Sequence, residues 1–155
     1  MAPDGPVLLA YDGSDSAKAA ISEAGRLLAL DGAEAIVGSV WQSAAAAAPA
    51  TVIAIPAGVA RQAYEELDRE AEEQAKALAD EGVKLARDAG FEATSRPIVC
   101  DVNTWSTIVE LADETGASAI VVGTRGHSGV KSALLGSVSS GVVHHARQPV
   151  LVVRG

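Results

Sequence analysis

Hydrophobic and polar positions along this chain fall into blocks of two different periods. Residues 6–11, PVLLAY, form a short apolar run closed by Asp-Gly-Ser; a run of that length bounded by a turn signal predicts a buried strand. Residues 14–30 place Ile21, Ala24 and Leu28 at helical spacing behind Ser14 and Asp15, and Asp31-Gly32 ends the pattern. Ser and Asp at the start of such a pattern are good N-caps, so this is a helix. Residues 33–41 read as a second strand. Residues 60–89 carry a long helical pattern rich in Ala, Glu and Lys, stopped by Gly90, with Gly82 inside it as a candidate bend. A third, weaker strand covers 91–100, where Pro97 predicts an exposed edge. A helix at 103–115, capped by Asn103 or Thr104 and ended by Gly116, leads to a buried strand at 117–123. A helix at 136–147 and a strand at 149–154 complete the chain.

The order is therefore strand and helix in strict alternation, with near-continuous Val, Ile and Leu in the strands. Such strands are buried on both faces, which predicts an α/β fold: one domain over residues 1–155, with a five-stranded parallel sheet and helices on both faces. Residues 42–58 interrupt the pattern with an alanine-rich stretch, broken by Pro49 and Pro56. A loop of that length inside a compact domain is either a mobile insert or a lid over a ligand.

Composition narrows the possible functions. A chain of 155 residues can bury a core without disulfides or structural metal. Its single cysteine, Cys100, excludes an intrachain disulfide and reads as a small buried apolar residue. Aromatic residues are scarce, which argues against stacking on single-stranded nucleic acid. The net charge of −8 argues against a general nucleic-acid binder. No apolar run is long enough for a membrane helix and no signal peptide is evident, so a cytoplasmic protein is expected. The charge is unevenly placed: residues 1–114 hold all 20 acidic and 8 basic groups, whereas 115–155 hold Arg125, Lys131, Arg147 and Arg154 and no acid. An acidic chain with one positive end fits a small anionic ligand better than a polyanion.

Ligands of parallel sheets bind at the carboxyl ends of strands. Two strand ends carry polar, glycine-bearing turns: YDGSDS after the first strand and GTRGHSG after the fourth. If those strands are neighbours, both turns face one crevice. Between Gly123 and Ser140 lie four glycines, with Arg125, His127 and Lys131 and no carboxylate. Glycines let backbone N–H groups approach a ligand closely and form an anion-binding nest. Gly136-Ser137 then opens a helix, whose unpaired first amides and positive dipole end favour a phosphate. The span is not a Walker A loop, which needs a Gly-Lys pair, and it lacks the G-x-G-x-x-G dinucleotide fingerprint.

The spacing Gly123-x2-Gly126-x9-Gly136-Ser137, with VLLAYDGSDSA at the start and LLGSVSSGVVHHARQPVLVV at the end, resembles the ATP-binding branch of the universal stress protein family. The resemblance covers essentially the whole chain and is weakest over 42–103. It implies a Rossmann-like, adenine nucleotide α-hydrolase-like fold. It implies that Asp12 contacts the ribose or lies close to the phosphates, with Gly13 letting the nucleotide sit against the turn. Val40, at the end of the second strand, would present backbone groups to adenine. Gly123, Arg125, Gly126, Gly136, Ser137 and Val138 would surround ribose and phosphates. ATP, with Mg²⁺ on the triphosphate, is the implied ligand, and the strand at 149–154 the implied edge of a homodimer. The implied role is a stress-response regulator switched by nucleotide. Slow ATP hydrolysis, cyclic AMP as ligand and a nucleotide-free dimeric scaffold are the alternatives. No general base is paired with a positioned nucleophile, so turnover is expected to be slow at most.

Plainer readings accompany each residue. Asp12 also suits a turn or a cap, although Ser14 already fills the capping role. His127 reads as a loop or phosphate-facing residue rather than a base. His144 and His145 have no partner at metal spacing and read as structural, as does Trp105. The charges of 60–89 read as a solvated helix face.

Overall fold

The computed structural model describes residues 4–48, 55–124 and 135–155. Five strands, β1 (Val7–Ala10), β2 (Glu34–Gln42), β3 (Glu92–Cys100), β4 (Ala119–Gly123) and β5 (Val150–Val153), form one sheet. All its pairings are parallel and its order is β3-β2-β1-β4-β5. Five helices accompany them among the described residues: α1 (Asp15–Leu28), α2 (Ala44–Ala47), α3 (Ala57–Asp88), α4 (Thr104–Thr115) and α5 (Ser137–His145).

The apolar strands follow from a sheet covered on both sides. Successive side chains point to opposite faces. In β1, Val7 and Leu9 enter the core beneath α1 and α3, while Leu8 and Ala10 join the core beneath α4 and α5. In β4, Val121 goes to the first core and Ile120 and Val122 to the second. With both faces dry, neither parity of the strand has a reason to be polar.

The departures from the sequence reading are local. Gln42 still belongs to β2, and the alanine run supplies α2, whose N-cap Ser43 accepts from the Ala46 amide at 3.2 Å. The part of the 42–58 segment at residues 49–54 lies outside the described residues. Helix α3 is 32 residues long, or about 48 Å at 1.5 Å per residue. Its buried positions are Ala75, Ala79, Gly82, Val83 and Ala86, all in the C-terminal half; the charged first half is largely solvated, as expected.

Gly82 is there for contact rather than as a breaker of α3. A Cβ at Gly82 would stand 2.6 Å from Val37 Cγ1 and 3.0 Å from Tyr11 Cδ1, so the missing side chain lets α3 lie close on the sheet. Pro97 sits in β3, which forms one edge of the sheet, and Cys100 is buried. Trp105 packs into the α4–α5 side, where Gly141 leaves room for it and the His145 ring stacks on it at 4.1 Å between centroids. His145 Nδ1 lies 2.9 Å from the Gly141 carbonyl. No group of three or more metal-ligating side chains occurs among the described residues. No helix among them is long and apolar enough to cross a membrane.

Candidate functional site

Strand order settles the question left open by the two glycine-bearing turns. β1 pairs directly with β4, and the chain leaves β1 toward β2 on one side and returns through β4 and β5 on the other. The boundary between β1 and β4 is thus the switch point, where an open parallel sheet forms a crevice at its carboxyl edge. The turn after β1, the last residue of β4, the start of α5 and the end of β2 all lie along this edge.

The first wall begins at Tyr11, whose amide donates to the Gly38 carbonyl at 2.8 Å and extends the β1–β2 ladder by one residue. Asp12 follows, half-buried, and its Oδ1 accepts from the Ser14 amide at 3.0 Å. Gly13 adopts φ +80°, a left-handed conformation open to glycine at little cost. Ser14 caps α1 by accepting from the Ala17 amide at 3.2 Å. The plainer reading of this turn is therefore realised, with Asp12 two residues past the end of β1, on the side of the switch point.

The second wall is built around Gly123 and Thr124. Gly123 ends β4, and a Cβ there would run into Ser16, coming within 2.8 Å of its carbonyl carbon. Its lack of a side chain lets the first turn of α1 lie against β4. Thr124 is buried; its amide donates to the Val153 carbonyl at 3.0 Å and its carbonyl accepts from the Gly136 amide at 2.9 Å. These two bonds close the base of the connection between β4 and α5. Arg125 and Gly126, with His127 and Lys131, lie outside the described residues.

Gly136 is the N-cap of α5 and supplies no side-chain cap. Ser14 and Asn103, by contrast, cap α1 and α4 with their side chains. Among the described residues, no side-chain cap accepts from the first-turn amides of α5 at this edge. Ser137 is exposed beside them, and Val138 turns inward onto the core under α4 and α5. An N-terminus in this state is suited to a phosphate or carboxylate.

Val40 stands two residues before the end of β2 rather than at it, opposite Ile98 of β3. The Gly38 carbonyl points toward β1, where it meets the Tyr11 amide. Two residues on, the period of the strand directs the Val40 peptide groups the same way, past the point where β1 has ended. Asp12, Gly13, Val40, Gly123, Gly136, Ser137 and Val138 are thus placed along one edge of the sheet.

Sequence reasoning missed two features of the edge. Tyr11 is buried, and its hydroxyl donates to Glu81 Oε1 of α3 at 2.6 Å; Lys18 Nζ stands 3.6 Å from the same oxygen. Burial first, and then the Glu81 carboxylate, push the Tyr11 phenol well above its ordinary range. The Tyr11 hydrogen bond, assisted by Lys18 and Lys84, holds the Glu81 carboxyl below its own. A tyrosine ending a buried strand was a signal, because a buried phenol needs a partner. Ser16, buried against Gly123, offered no comparable signal.

Known proteins share this fold. The profile of the universal stress protein family matches residues 5–154. Universal stress protein YxiE of Bacillus subtilis is 30% identical over 150 residues, covering 96% of this chain and 97% of that protein. The structure of the protein MJ0577, from Methanocaldococcus jannaschii, superposes with a TM-score of 0.80 at 25% identity, covering 99% of this chain and 97% of the other. A universal stress protein solved in complex with cAMP superposes with a TM-score of 0.64 at 28% identity over 96% of each chain. With the family profile spanning nearly the whole sequence and the same parallel sheet beneath it, the chain belongs to the universal stress protein family.

Proposed function

We propose that this chain is an adenine-nucleotide-binding stress-response regulator, a homodimeric switch whose state is set by ATP. The observation that carries the reading is the adjacency of β1 and β4, which brings the Asp12-Gly13 turn to the same crevice as the α5 N-terminus, where no side-chain cap is present. In this reading the α5 amides and Ser137 receive the phosphates, joined by Arg125 and Gly126. Asp12 takes the ribose or the metal side of the phosphates, and the Val40 peptide groups take adenine. Mg²⁺ rides on the triphosphate oxygens, since the described residues offer no protein cage for it. Cyclic AMP is the second reading, favoured by the likeness to a family member solved with that ligand; it would use the same crevice with one phosphate. In either case the protein is read as cytoplasmic, and as a binder rather than an efficient catalyst.

The dimer is assigned to β5. This strand is a sheet edge, and beside it runs a groove of about 530 Å³, lined by Leu27 of α1 and by Leu151 and Val153, with Glu23 and Arg154 among its charged residues. A strand edge that no described strand pairs is a ready template for a second strand.

Nucleotide extracted from freshly purified protein and identified by mass, together with calorimetric titration of ATP and cyclic AMP, tests the reading. Retained ATP, or micromolar ATP binding that Gly126→Val weakens, is the expected result. Retained cyclic AMP selects the second reading. A chain that carries no nucleotide and binds neither ligand at millimolar concentration overturns both.

A further inference from the structure

Asp12 is a single carboxylate on a turn, yet both residues flanking it rest on one stretch of α3. On the N-terminal side, the Tyr11 ring lies under Gly82, and its hydroxyl donates to Glu81 at 2.6 Å. On the C-terminal side, a Cβ at Gly13 would stand 2.8 Å from Leu78 Cδ2. Leu78, Glu81 and Gly82 span about one turn of helix and form the floor of the Tyr11–Gly13 turn. Lys18, from the second turn of α1, reaches the same Glu81 oxygen. Two helices and the end of β1 therefore meet at one carboxylate, beside the residue assigned to the nucleotide.

The hydroxyl is not needed for burial. A phenylalanine would fill the same space between β1 and α3, and Glu81 and Lys18 are each about half exposed, so water could serve both. What the hydroxyl adds is direction. A short bond to a charged acceptor is stronger and more directional than a neutral one, and it fixes the side chain that immediately precedes Asp12. Groups that touch a ligand keep their geometry when a second layer of hydrogen bonds locks their supports.

Building on the nucleotide reading above, we propose that Tyr11 and Glu81, steadied by Lys18, are positioning residues that aim the Asp12 carboxylate at the bound nucleotide. Neither touches the ligand; both act through the turn. The device also explains why α3 comes so close to the sheet at Gly82. Without that approach Glu81 would stand too far from the phenol to hold it.

Calorimetric titration of the full chain with ATP tests this, with thermal unfolding run alongside to confirm folding. Tyr11→Phe and Glu81→Ala are each expected to weaken ATP by about 3- to 10-fold, the scale of one directional hydrogen bond. Glu81→Gln keeps a neutral acceptor for the phenol but loses the charge and the Lys18 pair, and is expected to fall between wild type and Glu81→Ala. In an Asp12→Ala background, Glu81→Ala is expected to cause no further loss, because the residue it positions is gone. A folded Tyr11→Phe or Glu81→Ala variant that binds ATP like wild type overturns the inference. So does a Glu81→Ala loss of the same size with and without Asp12, which would mark a merely structural role. A wild-type chain that does not bind ATP overturns the nucleotide reading, and this inference falls with it.

Discussion

At the scale of single residues, the turn after β1 concentrates the constraints. Gly13 combines φ +80° with a Leu78 methyl 2.8 Å from where a Cβ would be. Left-handed backbone costs an ordinary residue about 1–2 kcal/mol, and the displaced Leu78 adds to that. Gly13→Ala is therefore expected to destabilise the chain by about 1–3 kcal/mol in urea unfolding. The neighbouring pair carries a pH signature. The Tyr11 hydrogen bond, with Lys18 and Lys84, holds the Glu81 carboxyl below its ordinary range. A lowered native value contributes stability that is present above the unfolded value of about 4.3 and is lost as pH falls through the native one. Tyr11 moves the other way, raised by burial and by Glu81. Its contribution is full below about 10 and is lost as pH rises beyond that. Urea unfolding of wild type and Tyr11→Phe across pH should show the wild-type advantage shrinking at both extremes; an advantage independent of pH would contradict the pairing.

At the scale of elements, caps and periods were legible where the signal was local. Ser14 and Asn103 were readable as N-caps because a capping side chain reaches only the next turn, and both accept from the amide three residues on. Ser14→Ala is expected to cost about 1 kcal/mol of stability by chemical denaturation. The short α2 was missed because a run of alanines has no polar face and hence no period to read. The role of Gly82 was missed for the opposite reason. A glycine in a helix reads as a local weakness, whereas its neighbours here, Tyr11 and Val37, belong to strands far away in sequence. Gly82→Val should force α3 off the sheet and destabilise by about 1–3 kcal/mol, the range for overpacked cores.

At the scale of the whole molecule, the proposed dimer rests on β5, an edge strand of the sheet. The Pro149 carbonyl accepts from Ile120 of β4 and the Val153 carbonyl from Thr124 just past it, so this parity faces inward and Val150 and Val152 present their peptide groups to the open edge. Proline at an outward position removes an edge donor and leaves the β4 ladder intact. If the proposed dimer forms through β5, light scattering is expected to give a dimer for the wild type and a folded monomer for Val152→Pro; a dimer that survives the substitution would move the interface elsewhere.

The amino-acid sequence by itself determined what depends on near neighbours: strands dry on both faces, helix caps, glycine-bearing turns after β1 and β4, and an N-terminus of α5 opened by glycine. Each is set by residues within a turn or a strand of one another. Tertiary structure alone decided that β1 lies against β4, that the Val40 peptide groups look past the end of β1, and that Glu81 reaches Tyr11 across 70 positions of chain. Those facts arise from packing between segments distant in sequence, and no local period encodes which distant surface a helix will meet.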